Sequence, residues 1–153
     1  MASTRISQRI DAPRERVYAA LVDAEAVAHW KVPAGMTCEV HQFDVFEGGA
    51  VRVSLTYEAP DRPGKSRDRT DTYRGRFIRL VPNELVVEVD EFETDEAELM
   101  GEMITTIRLA DADGGTDLVA THEGLPVGLS LADNQTGWQE ALVRLRAFVE
   151  ASG

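Results

Sequence analysis

Cysteine is almost missing: Cys38 is the only one in the chain. A lone thiol excludes an intramolecular disulfide and any zinc site built on several cysteines. Long apolar runs are missing too, and none reaches the roughly 20 residues that a membrane-spanning helix needs. The N-terminal MASTRISQRIDAP lacks the apolar segment of a secretory signal. The expected location is therefore the cytoplasm, where the glycosylation-like Asn134-Gln135-Thr136 has no meaning. Positive charge is scarce, with 16 Lys and Arg against 27 Asp and Glu and a net charge of −11. That balance speaks against nucleic acid and anionic membranes as partners.

What is present is the composition of a globular protein, 43% hydrophobic and 28% charged. The length suits one domain over residues 1–153, with no internal repeat. The C-terminal stretch Asp133 to Val149 organises the rest. Trp138, Ala141, Leu142, Leu145, Phe148 and Val149 fall on one face of an α-helix, with Asp133 or Thr136 placed to cap it. Arg144 and Arg146 sit near its C-terminal end, where the dipole favours cations. So broad an apolar face, anchored by Trp138, needs a wide surface beneath it.

Nearly everything earlier reads as short strands. Thr4 to Ile10 alternates, with Ile6, Gln8 and Ile10 on one side. Asp11 and Pro13 start a short helix carrying Val17, Tyr18, Leu21 and Val22, and Asp23 caps a second one carrying Val27 and Trp30. From Met36 the period is two, with a slip before Phe43 that predicts a bulge. Glu47-Gly48-Gly49 is a hairpin turn into Val51 to Tyr57, and Ala59 to Ser66 is a mobile polar loop. Strands follow over Thr72 to Leu80, Leu85 to Phe92, Leu99 to Leu109 and Thr116 to Gly124. The order is strand, two short helices, a six-stranded meander and a long helix.

No catalytic motif stands out. His29, His41 and His122 are far apart and lack zinc-binding spacing, so no metal is expected. Ser7, Ser54 and Ser130 lack a nucleophile elbow. Asp111-x-Asp113-Gly114 is a hairpin turn without the remaining ligands of a calcium loop. Gly48-Gly49 and Gly114-Gly115 sit between strands rather than before a helix, so no phosphate-binding loop and no cofactor are expected. Cys38 reads as a core thiol. Asp90-Glu91, Glu93, Asp95-Glu96 and Glu98 form an acidic tip, preceded by a basic band of Arg62, Lys65, Arg67, Arg69, Arg74, Arg76 and Arg79. Across a hairpin at Val81 to Glu84, Arg74 and Arg76 fall opposite Glu88, Asp90 or Glu91. An acidic docking surface for a basic partner is the sharper alternative.

Ile10-Asp11-Ala12-Pro13, Val17-Tyr18, Leu21 and Trp30 begin a recognisable order of motifs. Gly48-Gly49, Gly114-Gly115-Thr116, Thr121 to Pro126, Gly137-Trp138 and Leu142 continue it. In these the chain resembles the START and birch-pollen-allergen superfamily (SRPBCC, the helix-grip fold), in the branch related to the activator of the heat-shock protein 90 ATPase. The resemblance implies an α+β fold: a seven-stranded curved antiparallel sheet gripping the C-terminal helix, with two short helices after the first strand and a cavity under the long one. In that fold Trp30, Val53, Leu55, Tyr57, Tyr73, Phe77, Met103, Thr105, His122, Trp138 and Leu142 would line or close the cavity. A mostly apolar lining with a few hydroxyls suits a small hydrophobic ligand. The resemblance also implies two alternatives, a polyketide cyclase or dehydratase and a co-chaperone acting on a chaperone ATPase. The eukaryotic co-chaperone's separate N-terminal domain has no counterpart in this sequence. Oligomeric state is not readable from it.

Overall fold

The computed structural model describes residues 2–58 and 70–151. Its elements run β1 (Ser3–Ile10), α1 (Arg14–Leu21), α2 (Ala24–Trp30), β2 (Met36–Phe43), β3 (Ala50–Tyr57), β4 (Thr70–Val81), β5 (Leu85–Phe92), β6 (Met103–Ala112), β7 (Gly115–Glu123) and α3 (Leu131–Ala151). A single 3-10 turn, Ala97–Leu99, lies between β5 and β6. It occupies the start of the expected sixth strand, which begins only at Met103.

All seven strands form one antiparallel sheet in the order β1-β7-β6-β5-β4-β3-β2. Strands β2 to β7 are a plain meander, and β1 closes onto β7 from Ser3↔Glu123 to Ile10↔Thr116. This is the helix-grip layout expected from the sequence. Sequential hairpins need tight turns, and the β6–β7 turn obtains one from Asp113 at φ 44 and Gly114 at φ 81. Two successive positive φ values match the right-handed twist of the flanking strands.

The bulge expected in β2 falls between Val40 and Gln42, leaving His41 as the extra residue. A second register shift in β4, between Phe77 and Arg79, gave no signal in the sequence.

Helix α3 buries Ala141, Leu142, Leu145 and Val149 against β1 and α2. Trp138 and Phe148 are only half-buried at the rim of that core. The fully enclosed tryptophan is Trp30, whose indole Nε1 donates to the Ala20 carbonyl at 2.9 Å. Asp23 caps α2 as expected, accepting from the Glu25 N–H at 3.2 Å. Two other caps differ from expectation. Pro13 occupies the N-cap of α1 with no side-chain bond, while Asp11 pairs with Arg9 at 3.1 Å. Helix α3 starts before Asp133, and Ser130 Oγ accepts the Asp133 N–H at 3.2 Å. No described helix is long and apolar enough to cross a membrane.

Candidate functional site

Five strands each send one side chain into a single row across the concave face. In pairing order these are Thr4, His122, Thr105, Glu88 and Phe77. Beside it runs a second row of Met103, Asp90, Gly75 and Val51. Lys31, at the C-cap of α2, reaches this wall from above. Its Nζ stands 3.6 Å from Glu88 Oε2, 5.6 Å from the Tyr73 ring centroid and 5.8 Å from that of Trp138. Glu88 and Asp90 are 3% and 6% exposed. A charged cluster therefore occupies the interior beneath the helix. The mostly apolar lining expected from the sequence is corrected here.

Burial alone would disfavour the Lys31 ammonium, but the Glu88 carboxylate outweighs it and moves its pKa upward. Burial opposes the Glu88 charge too, and Lys31 overcomes that, so Glu88 is held ionised below its ordinary range. Asp90 goes the other way. Burial and the Glu88 charge beside it raise its pKa well above normal, and it keeps its proton. Two carboxyls two residues apart thus divide into a carboxylate and an acid. Burial also raises Tyr73, keeping the phenol neutral, and pushes the Cys38 thiol up to about 11.

His122 is fixed by its neighbours. Its Nδ1 accepts from Trp138 Nε1 and from Asn134 Nδ2, each at 3.1 Å. Asn134 is oriented in turn by the Thr4 hydroxyl, which donates to its Oδ1 at 2.7 Å. An Nδ1 that accepts two N–H donors carries no proton, so the ring is the neutral Nε2–H tautomer. Burial, then the nearby Lys31 charge, lowers its pKa to about 4. The unfolded imidazole takes up a proton near pH 6.5, whereas the folded one does so only near pH 4. The unfolded state therefore binds more protons between these values, and stability falls as pH drops through that window. Urea denaturation at pH 7 and pH 4.5 should show this loss, and His122→Gln should shrink it.

Gly75 makes room for the acid. A Cβ there would strike the Val89 carbonyl oxygen and the Asp90 carboxyl across the β4–β5 pair. Gly75→Ala is expected to destabilise by at least about 1–3 kcal/mol. An unchanged urea midpoint would show that the strands tolerate the methyl group.

Of the side chains expected to line the site, Trp30, Val53, Phe77 and Leu142 lie wholly inside the core, and Met103 and Thr105 are buried on the sheet. Leu55, Tyr57, Tyr73, His122 and Trp138 alternate with convex-face residues or project from α3, yet stay half-buried. The concave face is thus closed near Ile10, Leu118 and Leu145 and more open at the Tyr57–Trp138 end. Lys31, Glu88, Asp90 and Asn134 were missed as members of this group.

The charge runs resolve differently from the reading of a single acidic tip. Arg74 does stand opposite Glu91, at 3.4 Å, and Arg52 binds Glu93 at 2.7 Å. Arg76 faces Val89 and pairs with Glu102 at 3.4 Å. Arg62, Lys65, Arg67 and Arg69, with the loop Ala59 to Ser66, lie outside the described residues. On the convex face His41 Nε2 meets Ser54 Oγ at 2.8 Å, and Ser54 meets Thr72 Oγ1 at 2.7 Å. His29 is bonded to the Glu25 carbonyl through Nδ1 at 2.8 Å, so the three histidines stay apart. Two grooves, about 320 and 480 Å³, also open on the sheet, one beside Arg52, Arg74 and Arg76 and one beside Arg79 and Arg108, and no α3 residue lines either.

Comparison with known proteins fits this geometry. Residues 11–150 match the family model described as Activator of Hsp90 ATPase homolog 1-like protein. Protein CV1439 from Chromobacterium violaceum is similar at 36% identity and TM-score 0.87, over 97% of this chain and 96% of that one. A Rhodobacter sphaeroides protein shares the fold at 21% identity and TM-score 0.81, covering 99% and 93%. An AHSA1-like protein from Aeromonas hydrophila does so at 19% identity and TM-score 0.73, covering 99% and 94%. The search of curated proteins finds no match.

Proposed function

Since the chain belongs to the family of Activator of Hsp90 ATPase homolog 1-like proteins, we propose that it binds a small, largely apolar molecule at the more open end of its concave face. One observation carries this reading. Leu55, Tyr57, Tyr73, His122 and Trp138 are only half-buried, whereas the opposite end of the same face is fully enclosed. Aromatic and aliphatic walls with a few convergent polar groups are what such a ligand needs. A chaperone partner is compatible with family membership, but it gives no reason for a polar row beneath the helix. Native mass spectrometry of protein purified gently from its host is the test. A co-purifying small molecule is expected, and its loss in Tyr73→Ala would locate it. Protein free of ligand, with no mass shift on adding lipids, sterols or aromatic polyketides, would remove the reading.

A second reading, turnover of the polyketide cyclase or dehydratase kind, is favoured by one feature. An acid that keeps its proton, Asp90, shares the concave face with a neutral imidazole, His122. Groups whose pKa values are driven apart in this way suit acid–base work. Turnover of an aromatic polyketide that survives Asp90→Asn and His122→Gln together would exclude both from the chemistry.

A further inference from the structure

We propose that the molecule bound on the concave face carries a carbonyl oxygen, which accepts hydrogen bonds from the His122 Nε2–H and the Lys31 ammonium beside Trp138. The inference rests on the ligand-binding reading above and names the ligand's polar group.

Most polar groups of the concave face are already matched. Glu88 and Asp90 bond to each other as a carboxylate and an acid, and Lys31 lies beside them. The Thr4 hydroxyl donates to Asn134, while Asn134 and Trp138 both donate to His122 Nδ1. Those last two bonds fix the imidazole proton on Nε2. The Nε2–H has no acceptor among the described residues, and the half-buried ring leaves it open to solvent. Water is then its partner in the free protein, and a ligand oxygen can take that water's place.

Lys31 supplies a second donor at the same spot. An ammonium has three N–H groups, and Glu88 and Tyr73 draw at most two of them. Its side chain is 17% exposed, so the interior is not sealed around it. The Trp138 ring lies 5.8 Å from Nζ and 5.9 Å from the imidazole, so both donors border one aromatic side chain. Leu55, Tyr57 and Tyr73, half-buried at the same end of the face, offer walls for an apolar body.

Two donors call for an acceptor, and its kind follows from the surroundings. The charges of Lys31 and Glu88 cancel, while Asp90 and His122 are neutral. A carboxylate on the ligand would add an uncompensated negative charge near Glu88. A hydroxyl would need an acceptor for its own hydrogen, and Glu88 and Asp90 are engaged with each other. A carbonyl oxygen brings lone pairs without a charge or a hydrogen.

The test compares 2-acetylnaphthalene with 2-isopropenylnaphthalene, in which a CH2 group replaces the carbonyl oxygen at nearly the same shape. Binding is measured at pH 7 by isothermal titration or by quenching of tryptophan fluorescence. Without specific donors the alkene binds as well or better, since it is the more hydrophobic. The wild type is expected to prefer the ketone by at least about tenfold. His122→Phe should abolish that preference while leaving alkene binding intact. A carbon-13 label on the carbonyl gives a readout that needs no variant: its NMR signal should lie downfield of its position in hexane when bound. If His122→Phe does not fold, the wild-type ratio and this signal decide alone. Equal binding of the two probes to the wild type, or a bound carbonyl signal at the hexane position, would overturn the carbonyl inference and leave the apolar site standing. So would a preference that persists in a folded His122→Phe. Binding of neither probe would overturn the site and the inference together.

Discussion

Lys31→Met is expected to lower stability at pH 7 by about 3–5 kcal/mol, the usual result of removing one partner from a buried ion pair. Its side chain is 17% exposed and that of Glu88 is 5% exposed, so water cannot replace the lost ammonium. The remaining carboxylate would have to stay charged in the interior or take up a proton. Taking up the proton costs about 1.4 kcal/mol for each unit between its new pKa and the ambient pH. Adding Glu88→Leu should recover much of the loss, because an apolar pair of similar volume is often no less stable than the ion pair it replaces. Urea midpoints of the two single variants and the double variant measure this directly. A loss below about 1 kcal/mol in Lys31→Met would mean that Glu88 does not depend on the ammonium.

Trp30→Ala should be nearly as damaging, at about 3–5 kcal/mol from lost burial and the cavity left behind. Trp30 is 1% exposed, lies in the core, and ties α2 to α1 through the Ala20 carbonyl. Against a typical total of about 5–15 kcal/mol this is a large share. Trp30→Phe keeps most of the packing and should lose less, chiefly the hydrogen bond at about 1 kcal/mol. Trp138→Ala behaves differently, because that ring is only half-buried. Its clearer effect should be electrostatic: with one donor to Nδ1 gone, the His122 pKa rises from about 4, as a proton NMR titration would show. Equal melting temperatures for the Trp30→Ala variant and the wild type would contradict the placement of α2.

The fold was legible because its signals are local. Alternation gave the strands, glycine pairs gave the turns, and the 3.6-residue spacing gave α3. The candidate site was less legible, and β5 shows why. In Leu85-Val86-Val87-Glu88-Val89-Asp90 the usual rule turns Val87 and Val89 to the core and the acids to water. The structure does the opposite: Val86 packs in the core, so Glu88 and Asp90 point inward with it. A count back from the Val81–Glu84 turn does not help, because the register shift after Phe77 exchanges the faces partway along β4. Lys31 looked like a helix-ending surface residue, since nothing local records the acid that holds it. A partner 57 positions away is visible only in three dimensions.

Among the described residues, the first strand pairs with a single other strand, β7, near the far end of the sequence. The Thr116 hydroxyl that holds the Ala12 carbonyl at 2.7 Å lies 104 positions downstream. During synthesis at about 5–20 residues per second, β1 therefore waits several seconds for β7 to emerge. The β2–β7 meander can pair as it leaves the ribosome, but the sheet keeps β7 as a bare edge until the N-terminus returns. A bulky fusion before Ser3 would delay that return, so expression tags are better placed after α3.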